Sequence, residues 1–272
     1  MSNIETEPSS ARSMRNKVPA VILIFWIIKI MATTVGETAA DYLAGNLGLG
    51  LSNTTWLSIA VLIAALALQF RTRRYIPAVY WFAVVAISIV GTLITDSLTD
   101  LMGVSLWLTT PLFALALIAT FLAWHRSERT LSIHTIYTSR REAFYWLAVL
   151  FTFALGTAAG DLVAETLSLG YSVSALLFGL LIAAVVVAWS KVGLDAVPAF
   201  WMAYILTRPL GASLGDLLSQ PGKYGGLGLG TTGTSEIFLM TILALVTYLT
   251  VTKRDEVGHS FVPDASLPGL VD

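Results

Sequence analysis

Two acidic residues stand four positions apart in the apolar segment FTFALGTAAGDLVAETLSLG, residues 151–170. In a helix, Asp161 and Glu165 would project from one face, and carboxylate oxygens are ligands for hard divalent cations such as Mg²⁺, Ca²⁺ or Mn²⁺. A charge left unpaired inside a membrane is costly. We therefore expect acids placed here to be ion-paired, protonated, hydrated or bound to a cation.

One of these acids belongs to a pattern, W-x9-G-x4-D, that occurs four times along the chain. Its glycines are 55, 65 and 55 residues apart, which predicts four tandem copies of one unit. The members of the pattern are Trp26, Gly36 and Asp41; Trp81, Gly91 and Asp96; Trp146, Gly156 and Asp161; and Trp201, Gly211 and Asp216.

Further acids lie one helical turn from three of the four aspartates. Glu37 precedes Asp41, whereas Asp100 and Glu165 follow the aspartates of copies two and three. Thr92 and Thr157 stand at the position equivalent to Glu37 and offer supporting hydroxyl oxygens. The candidate cation ligands are Glu37, Asp41, Asp96, Asp100, Asp161, Glu165 and Asp216. Lys29 and Arg208 are their predicted counter-ions, with Lys29 facing the acids of the first copy and Arg208 those of the fourth.

The composition predicts an integral membrane protein. Of the residues, 56% are hydrophobic and only 12% are charged, with a mean hydropathy of +0.77. The net charge of −1 gives no basic excess for nucleic acid, and the absence of cysteine excludes disulfides and thiolate metal sites. Eight apolar runs approach the length of a membrane span: 19–44, 54–70, 76–101, 106–124, 142–167, 172–190, 195–219 and 235–252.

Basic residues predict the orientation of these spans. Nearly all lysines and arginines fall before the first span or after an even-numbered one, which predicts that both termini are cytoplasmic. Each copy then crosses the membrane twice in the same direction, so the copies are parallel. The four aspartates, about 22 Å along the helix from their tryptophans, should form a ring in the outer half of the bilayer.

The predicted fold is therefore an all-α membrane bundle of eight helices, built from four parallel two-helix repeats. We expect a cytoplasmic tail over residues 1–18, a first membrane half over 19–124, a cytoplasmic linker over 125–141, a second half over 142–252 and a second tail over 253–272. The odd-numbered helices, which carry the pattern, should lie inside the even-numbered ones.

Four tandem two-helix repeats, each with a tryptophan, resemble an uncharacterised family of bacterial membrane-anchored proteins. The segments FWIIKIMATTVGE and LTRPLGASLGD carry the resemblance, which covers most of residues 18–252. The resemblance implies the fold and a location in the cytoplasmic (inner) membrane of a bacterium, and it implies no particular activity.

The patterned residues admit structural interpretations as well. The glycines favour close helix packing, the tryptophans favour packing or a position at the membrane interface, and the aspartates favour either a cation site or a static polar network.

For the whole chain, the leading hypothesis is a transporter or permeation pathway for an inorganic cation, such as a divalent metal exchanged against protons. The alternatives are an intramembrane scaffold or accessory protein and a transporter of a small organic solute. Enzyme motifs are absent. Expected partners are membrane lipid, the cation and, as an option, further copies of the chain; no cofactor is expected except a bound divalent cation.

Overall fold

The computed structural model describes residues 16–256, in which eight α-helices are the main elements and no β-strand occurs. The predicted all-α class with eight helices is confirmed. The outer parts of both predicted tails, residues 1–15 and 257–272, lie outside the described residues. The helices are α1 (Leu23–Asp41), α2 (Leu51–Arg71), α3 (Pro77–Asp96), α4 (Leu106–Glu128), α5 (Ser139–Asp161), α6 (Tyr171–Val187), α7 (Ala196–Ser219) and α8 (Gly230–Thr252).

Seven of the eight helices are long and apolar enough to cross a membrane. The exception is α7, which is 24 residues long but contains Arg208, Asp216 and two prolines. It lies between α1, α5 and α6, so its polar residues face protein rather than lipid. A helix shielded on several sides does not need the hydropathy of one that faces lipid.

The odd-numbered helices form a closed inner ring. In this ring α1 packs on α3, α3 on α5, α5 on α7, and α7 on α1. Each even-numbered helix lies outside it: α2 packs on α3, α4 on α5, α6 on α7, and α8 on α1. Between 56% and 67% of the most apolar window of α1, α3 and α5 is buried, against 17–22% in the four even helices. The prediction that the odd helices lie inside is confirmed.

The four patterned glycines stand where adjacent inner helices approach most closely. A Cβ on Gly91 would come within 2.5 Å of Phe153 Cβ, and one on Gly36, Gly156 or Gly211 would overlap a side chain of the next inner helix. The neighbours form one cyclic series, in which each glycine faces the residue three positions before the next copy's glycine: Ser88, Phe153, Arg208 and Thr33. The ring therefore has approximate fourfold symmetry, which brings equivalent positions of all four copies to one axis.

Three inner helices end in the same way and the fourth does not. After Asp41, Asp96 and Asp161, the chain continues into a single π-helical turn, a feature found often at functional sites. Gly50 and Gly170, with φ of 73° and 74°, then allow the reversal into α2 and α6. Helix α7 ends at Ser219 without a π-helical turn.

The opposite end of the bundle departs from the predicted boundaries. The predicted linker over 125–141 is partly helical, because α4 runs on to Glu128 and α5 already begins at Ser139, where the Thr138 hydroxyl accepts a hydrogen bond from the backbone N–H of Arg141. Lys17, predicted to lie in a tail, is 1% exposed and packed into the bundle. Both differences arise where polar residues extend the fold beyond the apolar spans.

Candidate functional site

An aromatic residue precedes each patterned tryptophan, and together these eight residues form what we call the aromatic collar. The first residue of each pair packs against the tryptophan of the next copy around the ring. The centroid distances are 5.5 Å for Phe25–Trp81, 5.5 Å for Tyr80–Trp146, 6.2 Å for Tyr145–Trp201 and 5.6 Å for Phe200–Trp26. The tryptophans thus link neighbouring copies inside the inner ring.

A buried arginine lies on the axis beyond the collar. Arg208 of α7 is fully buried, and its Nη2 donates to Glu37 Oε2 at 2.9 Å, to Thr157 Oγ1 at 2.7 Å and to Thr92 Oγ1. Its Nη1 donates to the carbonyl oxygen of Thr33 at 3.3 Å. Arg208 therefore touches all three other inner helices and forms an ion pair with Glu37 of the first copy.

The three oxygens around Nη2 come from one repeat position. Glu37, Thr92 and Thr157 each follow the patterned glycine, and the fourth copy has Ala212 there. The structure thus brings together the supporting threonines, Glu37 and Arg208. We expected Arg208 to face the acids of its own copy, whereas its ion pair crosses to α1. The reason is the close approach at Gly211, which sets α7 against α1.

Lys29, the other predicted counter-ion, has a different environment. Its Nζ is fully buried and lies 4.0 Å from the ring centroid of Phe153 and 4.3 Å from that of Tyr204. Within the described residues it has no hydrogen-bond partner and no ion pair. Cation–π attraction to the two rings replaces the carboxylate that we expected.

The four patterned aspartates lie at the end of the ring where the inner helices finish, which we call the acidic end. Each is half-buried, and the carboxylates of Asp41, Asp96, Asp161 and Asp216 are close enough to one another or to Glu37 to interact electrostatically. Among the described residues, none of the four forms an ion pair. Asp100 and Glu165 are exposed in the π-helical turns beyond them.

The acids do not form a ready metal centre. In residues 16–256, no group of three or more Asp, Glu or His side chains is arranged to hold one ion. This includes the predicted site between α3 and α5, formed by Asp96, Asp100, Asp161 and Glu165. The described residues therefore contain no preassembled metal site, and cation binding at the acidic end stays a prediction.

Two hydrogen-bonded clusters close the opposite end of the bundle, and none of their residues was among the candidates from sequence. Lys17 Nζ donates to Glu142 Oε2 at 2.6 Å, and Gln69 Nε2 donates to Glu142 Oε1 at 3.1 Å, with all three residues buried. Tyr75 donates to Asp255, whose carbonyl oxygen accepts from the backbone N–H of Ala20. The aromatic pairs of the collar could have been found from the repeat alignment, but these long-range contacts have no local signal.

The fourfold pattern has a counterpart among known sequences. A family model described as a repeat of unknown function, DUF347, matches residues 24–75, 79–130, 144–194 and 199–255. The chain belongs to this family. Each DUF347 match covers one inner and one outer helix, and the starts of the four matches are separated like the patterned glycines, which confirms the predicted tandem repeats. No curated protein and no solved structure matches the chain.

Proposed function

We propose that this DUF347 protein is a membrane transporter for an inorganic cation, which enters at the acidic end and is exchanged against protons. The observation that carries the proposal is the set of four equivalent, half-buried aspartates that have no ion-pair partner among the described residues. Carboxylates in such a place favour either a proton or a cation. Competition between the two for the same oxygens is the basis of exchange.

The charge distribution along the axis supports a one-sided entrance. Six of the seven candidate carboxylates lie at or near the acidic end, whereas Glu37, Arg208 and Lys29 lie deeper in the ring. A negatively lined opening raises the local concentration of cations. We assign this end to the outer side of the membrane, because the loops that join the helices here carry Lys223 as their lone basic residue in the sequence.

The path beyond the acidic end is closed in this state. Arg208 fills the axis, and the aromatic collar and the Lys17–Glu142 pair follow it toward the other end. Transport therefore requires a second conformation in which these layers open. Parallel repeats related by an axis along the membrane normal are one architecture of secondary transporters.

Cation flux into vesicles containing the purified protein tests the proposal. We expect a change in internal pH that depends on the cation supplied, and we expect flux to fall at low external pH because protons occupy the carboxylates. Asp161→Asn should lower the flux at least about tenfold, since one charged oxygen is lost. Asp195→Asn is the matched control, because Asp195 is exposed and its side chain caps no backbone N–H.

A scaffold or accessory protein is the second candidate. The contacts that Arg208 makes with Glu37, Thr92 and Thr157 favour it, because such a network can hold the inner ring together without movement. Unchanged flux in both Asp161→Asn and Asp96→Asn, or no flux for any cation in the wild type, would favour this candidate.

A further inference from the structure

The Nη2 group of Arg208, which lies on the axis, has more hydrogen-bond acceptors around it than hydrogens to donate. Nη2 carries two hydrogens, yet oxygens of Glu37, Thr92 and Thr157 all lie within hydrogen-bond distance of it. Three oxygens that converge on one positively charged point resemble the first ligands of a metal ion more than the partners of a single NH₂ group.

The two hydroxyls are also oriented as ligands. Thr92 Oγ1 lies 3.3 Å from the carbonyl oxygen of Ser88 and 3.4 Å from Glu37 Oε2, and Thr157 Oγ1 lies 3.2 Å from the carbonyl oxygen of Phe153. Each hydroxyl can donate its hydrogen to the carbonyl four residues earlier in its own helix. Its lone pairs then remain for the group on the axis.

The repeat explains why these oxygens meet. Glu37, Thr92 and Thr157 occupy one repeat position, so the approximate fourfold symmetry sets them at one height around the axis. The fourth copy supplies Ala212 at this position and no ligand. It supplies a cation instead, Arg208, from one turn earlier in α7.

Within residues 16–256, the guanidinium has no bidentate ion pair at this point. A single carboxylate oxygen binds it, rather than the two parallel hydrogen bonds of a bidentate pair. Its Nε is buried and has no hydrogen-bond partner among the described residues. Asp96 lies one helical turn beyond Thr92 in α3, and Asp216 lies two turns beyond Arg208 in α7, both toward the acidic end. A displaced Arg208 therefore has other carboxylates within the same bundle.

We propose that Glu37, Thr92, Thr157 and the Thr33 carbonyl form a binding site for a small monovalent cation, and that Arg208 is the built-in occupant of this site. One carboxylate balances one positive charge, which selects a monovalent ion. The inference rests on the proposed function in one respect, since the cation that displaces Arg208 during transport is the transported one.

Thermal unfolding of variants in detergent tests the site without measuring flux. Arg208→Gln removes the built-in charge and leaves Glu37 unbalanced. Sodium, potassium, ammonium and guanidinium chlorides at about 10 mM are compared with N-methyl-D-glucamine chloride, which is too bulky to enter. We expect at least one small cation to raise the unfolding temperature by about 2–4 °C, the effect of about 1 kcal/mol in a protein of this size.

Two further variants assign the effect to this site. Glu37→Gln combined with Arg208→Gln should lose the response, because the charged ligand is gone. Lys29→Ala is the matched control: it also removes a fully buried cation, but one that lies against aromatic rings rather than oxygens. Its unfolding temperature should not respond to the small cations.

Equal responses in Arg208→Gln, Lys29→Ala and the double variant would overturn the inference. The inference would also be overturned if Arg208→Gln and Arg208→Ala failed to fold in every salt tested while the double variant folded. In that case no external cation could replace the guanidinium. Cation flux without a shift in unfolding temperature would support the proposed function and contradict the proposed Arg208 site. A shift in unfolding temperature without cation flux would support the site and contradict the proposed transport function.

Discussion

The Tyr75 hydroxyl donates a hydrogen bond of 2.5 Å to Oδ2 of Asp255, and this contact ties the segment before α3 to the segment after α8. The two residues are 180 positions apart in the chain. Asp255 also accepts a backbone hydrogen bond from Ala20, so the first and last described segments meet at one point. These contacts tie the segments before α1 and after α8 to the segment before α3.

Asp255 should make stability depend on pH. Burial raises the pKa of its carboxyl, and the hydrogen bond from Tyr75 acts in the opposite direction. Because the folded protein holds this proton more tightly than the unfolded chain does, the contribution of Asp255 is full below the ordinary carboxyl pKa. It is lost as the pH rises through the raised pKa.

The measurement is the difference in unfolding temperature between wild type and Asp255→Asn. The pH is varied from about 4, near the ordinary carboxyl pKa, to about 8. We expect the wild type to lose stability relative to the variant as the pH rises. Tyr75→Phe removes the hydrogen bond that lowers the pKa of Asp255 and should move this change to higher pH. A difference that stays constant with pH would contradict the argument.

Gly91→Ala should destabilise the inner ring by about 1–3 kcal/mol, the usual cost of overpacking. The new Cβ would lie 2.5 Å from Phe153 Cβ and 3.2 Å from the backbone nitrogen of Ala154, so the helix backbones must separate. Gly179→Ala in α6 is the control, because no atom lies within 4 Å of its added Cβ. Unfolding in detergent should show a loss for Gly91→Ala and none for Gly179→Ala.

The Lys17–Glu142 pair should matter far more than the exposed ion pairs of the same region. Glu142→Gln leaves a buried ammonium without its carboxylate and should cost about 3–5 kcal/mol. Adding Lys17→Met should recover much of that loss. Glu128→Gln, which breaks contacts with Arg140 and Arg141, should cost at most about 1 kcal/mol. Similar losses of unfolding free energy for Glu142→Gln and Glu128→Gln would show that burial does not determine how much an ion pair contributes to stability.

Membrane topology provides a further test of the proposed orientation. Reporter fusions after residues 48, 105, 169 and 225 should report an external location, because all four positions lie in the loops next to the acidic end. Fusions after residues 73 and 130 should report the cytoplasm. A cytoplasmic signal at any of the first four positions would mean that the acidic end does not face outward.

The repeat made much of this architecture predictable from sequence. The spacing of the patterned glycines predicted four parallel copies, and the polar residues confined to odd-numbered spans predicted which helices lie inside. Spacing fixes the height of a residue along its helix but not the neighbour that it meets. For that reason the ion pair between Arg208 and Glu37, which joins the fourth copy to the first, could not be predicted, and neither could the place of Lys29 between two aromatic rings.

A single chain can place one arginine on the axis, but a symmetric assembly of four identical subunits cannot. With one sequence per subunit, an arginine at the position of Arg208 would bring four guanidinium groups to a point that has room for one, and a glutamate at the position of Glu37 would be repeated four times. Joining the copies in one polypeptide allows each to differ, so that one positive and one negative charge face each other. Four non-identical copies in one polypeptide thus set the charge stoichiometry of the centre, and four identical copies would be incompatible with this pair.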